Sequence, residues 1–189
     1  LLGKGADKSL VTRNGQTALE VAHASVKSLL SGAPPDPSSE PNSRSHTPDG
    51  QPPKFPFLCL TVSGGHTQIV KVESTNKMVV IGTTIDDAAG EAFDKSAKIL
   101  KLPYPGGPLI DKYSKKGNIH AFKFGKPKVK NLDFSFSGLK TSILYKIKEN
   151  LQNNTNFIEE NLNDLCASIQ HSIVFILLDK IEKAIQKTG

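Results

Sequence analysis

Apolar positions follow two rhythms beyond about residue 55. Phe57–Val62 (FLCLTV) and Thr67–Val72 (TQIVKV) are short runs rich in β-branched and apolar residues, joined across Ser63–His66. Met78–Thr84 (MVVIGTT) is a third such run. Runs of this kind, bounded by turn residues, predict strands. The period then changes. Ala88, Ala89, Ala92, Phe93, Ala97 and Leu100 recur at helical spacing behind Asp86 and Asp87, two residues suited to a helix N-terminus. The sequence PYPGGP, Pro103–Pro108, ends that helix, and a short helix over LIDKYSKKG follows. Leu139, Ile143, Ile147 and Leu151 mark an amphipathic helix, and Ile158, Leu162, Leu165, Ile169, Ile173, Ile176 and Leu177 a longer one. Strands followed by helices predict an α/β or α+β domain over residues 55–189.

The chain before residue 55 has a different texture. Residues 31–54 hold seven prolines among 24 positions, and Ala33 is the only aliphatic or aromatic residue besides them. Such a stretch cannot bury enough apolar surface to offset chain entropy, so it is expected to be a disordered linker. Residues 1–30 read otherwise. LLGKGAD and NGQTALEVA resemble ankyrin-repeat sequence, with Thr17, Leu19 and Ala22 on specified positions and Ala18 and Glu20 departing from them. One repeat lacks a neighbour on which to bury its face, so this piece is expected to be helical in tendency and poorly stable in isolation.

Composition narrows the class. The 189 residues are 37% hydrophobic, which suits a chain with a real core. The longest conspicuous apolar run, Ile173–Leu178 (IVFILL), is far short of a membrane span. The start, LLGKGADKS, shows no signal peptide and no initiator Met, and the chain reads as an excerpt. Cys59 and Cys166 lie far apart in apolar surroundings without metal-type spacing, so buried free thiols in a reducing, cytoplasmic setting are expected. The net charge of +6 is compatible with a nucleic-acid partner without establishing one.

Candidate chemistry collects at four places. Gly64–Gly65 is either a plain hairpin turn or a place where backbone N–H groups hold a polar ligand beside Ser63, His66 and Thr67. Asp87, Glu91 and Asp94, at i, i+4 and i+7, share a helix face that is either a solvated stripe or a set of acceptors for ribose hydroxyls. Small Ala89 and Gly90 leave room beside them. Gly106–Gly107, between Pro105 and Pro108, is a helix break or a second wall of a ligand site. Lys123, Lys126, Lys128, Lys130 and Lys140 interleave with Phe122, Phe124, Phe134 and Phe136. Those lysines suit RNA phosphates. The period-two spacing of FKF and FSF instead reads the phenylalanines as half-buried strand residues.

Four motifs in order, FPFLCLTVSGGHTQIV, IDDAAGEAFDKSAKIL, YPGGPLID and LDFSFSGLKT, closely resemble the bacterial-type tRNA N(6)-adenosine threonylcarbamoyltransferase (TsaD) family over about residues 55–189. The resemblance implies an actin-like ATPase (ribonuclease H-like) fold, present here in part. It implies transfer of the threonylcarbamoyl group from threonylcarbamoyl-AMP to N(6) of the adenosine beside the anticodon of tRNA. Small partner proteins and a bound iron(II) are implied as well. Carried over by position, Thr61, Val62, Ser63, Gly64 and Gly65 fall on the substrate-binding loop. Asp94 and Asp111 fall on acidic positions that bind the nucleoside, and Gly107 on the glycine against the nucleotide. Asp87 and Glu91 receive no role, and no catalytic residue is assigned.

The same resemblance places the family's iron-binding His pair upstream of these motifs, and its Gly-rich nucleotide loop and last iron-binding Asp downstream of Gly189. No iron ligands are therefore expected in this chain, and the polypeptide alone is expected to be inactive. The rival expectation is an ankyrin-tethered interaction or scaffold protein with a decayed nucleotide-binding module.

Overall fold

β-Branched and aromatic side chains favour a pleated backbone, and three runs of them build one sheet. The computed structural model describes residues 54–188, so the expectations for 1–30 and nearly all of 31–54 lie outside the described residues. Strands β1 (Phe57–Val62), β2 (Thr67–Ser74) and β3 (Lys77–Thr83) form an antiparallel sheet in that order. Leu60 and Ile69 pair across β1 and β2 and are both buried. Ile69 faces Gly82 while Val70 faces Val80, which leaves Ile81 as an extra residue in β3. This β-bulge bends the strand end. There the backbone of Leu132 lies where a Cβ on Gly82 would sit, so glycine admits the crossing segment.

The helices are α1 (Ala89–Ile99), α2 (Gly106–Ser114), α3 (Ser137–Leu151), α4 (Phe157–Glu160) and α5 (Leu162–Thr188). Phe93 and Ala97 of α1, Leu139, Ile143 and Ile147 of α3, and Leu165, Ile169, Ile173 and Leu177 of α5 join Leu60 and Ile69 in one core. α1 packs on α2, α3 and α5, and α2 packs on α5. Burial of each large apolar side chain in such a core contributes roughly 1.5–3 kcal/mol. Among the described residues no helix is long and apolar enough to cross a membrane. Cys59 and Cys166 are both free, but only Cys166 is buried, and burial pushes its thiol up to about 12.

Several expectations need correction. Asp86 does not serve the N-terminus of α1. Its carboxylate accepts from Ser135 Oγ (2.5 Å) and from the N–H groups of Phe136 (2.8 Å) and Ser137 (3.3 Å), so it caps α3, fifty residues away. Phe134 and Phe136 are fully buried and stacked, 6.4 Å between ring centroids, and not half-buried on a strand. The segment makes a single parallel bridge, Thr84 to Phe134, with Thr83 N–H on Asp133 Oδ1 at 3.0 Å. One crossing leaves the same period-two spacing as a ladder. The long C-terminal helix is divided, because Asn161 Nδ2 donates to the Phe157 carbonyl (2.9 Å) and ends α4, so Ile158 belongs to a separate turn. Finally, α2 begins at Gly106, inside the stretch read as a break.

Candidate functional site

The site begins at the Ser63–His66 turn between β1 and β2. Ser63 N–H donates to the His66 carbonyl (2.8 Å) and closes the turn. Ser63 Oγ accepts from Gly65 N–H (3.2 Å) and His66 N–H (2.9 Å). The turn is docked on α1. Gly90 N–H donates to the Ser63 carbonyl (3.1 Å), and Ala89 N–H donates to Oγ1 of the fully buried Thr67 (2.9 Å). Two of the orphan N–H groups of the first helical turn are thereby satisfied, and Glu91 Oε2 reaches back to accept the Ala88 N–H at 3.4 Å.

Contact is close enough to fix a residue type. A Cβ on Gly90 would lie 2.8 Å from Gly64 Cα and from the Ser63 carbonyl oxygen. The small residues of α1 are indeed approached closely, and the approaching group is the turn itself. Gly64 and Gly65 behave differently. Both are exposed, a Cβ on either would meet nothing within 4 Å, and neither occupies the left-handed region. Gly64 N–H has no hydrogen-bond partner among the described residues. Thr61 is exposed and Val62 packs partly against the core. The His66 ring is exposed and makes no hydrogen bond among the described residues.

The second glycine pair lies against the same face of α1. Asp94 Oδ1 accepts Gly106 N–H at 2.8 Å, so a side chain of α1 caps α2. A Cβ on Gly106 would collide with Ala97 Cβ and come within 3.0 Å of Asp94 Cα. Gly90, Asp94 and Ala97, at i, i+4 and i+7, form one stripe. The turn rests on its first residue and Gly106 on the other two. Gly107 is buried in the first turn of α2. Asp111 follows one turn later, with Oδ2 3.0 Å from Lys115 Nζ and Oδ1 accepting from Gln170 Nε2 at 3.4 Å. The other amide atom, Gln170 Oε1, is buried without a partner among the described residues.

The acidic stripe is not one face. Asp87 precedes the helix and shares Lys95 with Glu91, at 2.6 and 2.8 Å. Lys95 holds the Glu91 carboxyl below the usual carboxylate range, and Asp87 with Glu91 raises Lys95. Asp94 turns instead to α2. Of the phenylalanines of the basic stretch, Phe124, Phe134 and Phe136 are buried in the core, and Phe122 is half-buried against it with its ring edge-on to Phe157. Gln170 was not legible as a site neighbour. It lies 59 residues from Asp111, and nothing local marks it.

A family model described as tRNA N6-adenosine threonylcarbamoyltransferase matches residues 42–189. The chain belongs to that family. It is 63% identical over 141 residues to the enzyme of that description from Christiangramia forsetii, covering 75% of this chain and 42% of the relative. Against the Riemerella anatipestifer enzyme the figures are 59% over 138 residues, 73% and 40%. Against that of Porphyromonas gingivalis they are 48% over 184 residues, 97% and 51%. The chain thus spans about half the length of these relatives or less. Membership sets the sheet and helices within an actin-like ATPase, ribonuclease H-like fold, of which they are a part. The described residues do not fit the iron that this family resemblance implies. Among the described residues no three His, Cys, Asp or Glu side chains come together as a metal site. His120 and His171 approach to 5.6 Å between ring centroids, but no third ligand joins them.

Proposed function

We propose that this chain forms part of a tRNA threonylcarbamoyltransferase and carries one wall of its threonylcarbamoyl-AMP site. The observation that carries the reading is the pair Gly64–Gly65. Their neighbours leave room for side chains and their backbone does not demand glycine, so a bare backbone there serves something outside the fold. In this reading Thr61–Gly65 hold the phosphate or carbamoyl end of the adenylate, and the unpartnered Gly64 N–H donates to one of its oxygens. Gly107 lies against the nucleotide. Asp94 caps α2 through Oδ1 and keeps Oδ2 for a ribose hydroxyl. Asp111, held by Gln170 and by an exposed ion pair of little worth, accepts another.

The adenosine N(6) attacks the carbamoyl carbon, a C–N bond forms, the C–O bond to the phosphate breaks, AMP leaves with that oxygen and the electron pair, and the N(6) proton passes to solvent. No residue described here is assigned as proton acceptor, and no step is routed through iron. tRNA, the small proteins of the threonylcarbamoyladenosine complex and a cytoplasmic setting belong to the same reading and rest on the family. The division into an ankyrin-like piece (1–30), a linker (31–54) and the transferase segment (55–189) rests on the texture of the sequence.

Calorimetric titration of the full chain with AMP tests the proposal. Saturable binding is expected, weakened at least about tenfold, or about 1.4 kcal/mol, by Gly65→Val and by Asp94→Ala. Absence of binding, or binding indifferent to Gly65→Val, overturns it and leaves a scaffold protein with a decayed nucleotide module.

A further inference from the structure

Lys123, from the basic stretch that the adenylate site leaves unused, lines one wall of a groove. The other wall is α3. Gly125 N–H donates to Ser142 Oγ at 2.8 Å and holds the loop against the helix, while Pro127 packs beside Gly138. Farther along, Lys180 Nζ donates to the carbonyls of Val129 (3.2 Å) and Asn131 (2.8 Å) and fixes the end of the loop to α5. The space between is an open groove of about 780 Å3, lined by Lys123, Thr141, Tyr145, Lys146, Lys148 and Gln152 among others. Thr141, Tyr145, Lys148 and Gln152 follow one another at helical spacing along its floor.

Charge singles out this groove. Its lining holds Lys123, Lys146 and Lys148 against Glu149 alone, an excess of two positive charges, within a stretch, residues 121–150, that carries seven lysines against Asp133 and Glu149. No carboxylate lies within ion-pair distance of Lys123 or Lys148 among the described residues. Lys146 meets Glu149 at 3.3 Å in an exposed pair that competes weakly with a phosphate. Between them stands Tyr145, 68% exposed, on a helix whose apolar face is otherwise buried. An exposed aromatic ring among unpaired cations is the combination that takes a single-stranded nucleic acid, with phosphates on the cations and a base on the ring. The groove also has a direction. Its Gly138 end adjoins the Ser137 N–H held by Asp86, which just precedes the start of α1. It therefore starts at the end of α1 on which the Ser63–Gly65 turn is seated.

We propose that this groove docks the substrate tRNA, with backbone phosphates on Lys123, Lys146 and Lys148 and an unpaired base against Tyr145, leading the strand toward the turn. The inference rests on the reading of the chain as part of a tRNA-modifying enzyme and adds the surface that the RNA uses.

Fluorescence anisotropy of the full chain tests it, with an end-labelled unmodified transcript of a tRNA that reads codons beginning with A, titrated across a range of salt. The double variant Lys123→Gln/Lys148→Gln is expected to weaken binding at least about tenfold and to reduce the salt slope by about two. Tyr145→Ala weakens it at least about fivefold. Lys183→Gln on α5, which removes a lysine paired with Asp179 at 2.7 Å, leaves affinity and slope unchanged. All these side chains are at least partly exposed and outside the core, and thermal melts confirm that the variants fold. Unchanged affinity and slope in the double variant overturn the proposal, as does an equal shift in Lys183→Gln. Competition by polyglutamate as effective as by tRNA also overturns it, in favour of an acidic protein surface. AMP titration of the groove variants keeps the two readings apart. It stays at the parent value whether or not tRNA binding falls, and only Gly65→Val and Asp94→Ala move it.

Discussion

The two glycine pairs look alike in the sequence and stand for opposite things in the structure. Gly106–Gly107 is buried at the start of α2, and Gly106 has Ala97 and Asp94 where a side chain would be. Its glycine is explained by the neighbours it touches. Gly64–Gly65 is exposed, with open space beside both residues and no left-handed backbone. Its glycine is explained by nothing within the described chain. A glycine required by its own fold reports packing, whereas one that the fold leaves unexplained reports whatever approaches from outside. Both pairs lie along one stripe of α1, so the contrast is between the support of a site and the part open to a ligand.

Gly106→Val breaks the supporting side and is expected to have the largest effect on stability. Its side chain must displace α1 from α2, and overpacking of this kind costs about 1–3 kcal/mol. Urea denaturation should show the midpoint falling, whereas Gly65→Val should stay within about 0.5 kcal/mol of the parent. If the two variants lose equal stability, the contrast between the pairs is wrong.

Asp94 sharpens the same contrast at smaller scale, because it belongs to both sides. Asp94→Ala leaves the buried Gly106 N–H without its acceptor. The expected cost is about 1 kcal/mol, as for a lost helix cap. Asp94→Asn keeps an acceptor at that position and should recover most of the loss in the same melts. No recovery would mean that the carboxylate charge, and not the hydrogen bond, holds α2.

What the sequence made legible follows the range of each interaction. Three strands and the bodies of α1 and α3 could be read because runs of β-branched and apolar residues and helical spacing are local. So could the candidate turn, because hydroxyls and glycines stand side by side in SGGHT. Asp86 was misplaced because its partners, Ser135 to Ser137, lie fifty residues on, and an acid before a helix normally belongs to that helix. Phe134 and Phe136 were misread because a single buried crossing and a strand leave the same period of two. Gly90 was noticed as small, yet only the structure shows that the turn fills the room it leaves. Gln170 gave no local signal at all, since its relation to Asp111 exists only once α2 packs on α5.

The smallest effect separates two ways in which the open turn can work. Ser63 Oγ holds the N–H groups of Gly65 and His66, both exposed. In Ser63→Ala these N–H groups turn to water, so stability should fall by only about 0.5 kcal/mol, the low end for a hydrogen bond. AMP affinity carries the information. If the hydroxyl preorganises the turn for its ligand, Ser63→Ala weakens binding several-fold, because the ligand must then order the loop itself. If the hydroxyl instead occupies donors that the ligand needs, removing it frees two N–H groups and affinity rises. We expect the former, since Ser63 also anchors the turn through its carbonyl on Gly90 and leaves the Gly64 N–H of an exposed residue without a partner among the described residues.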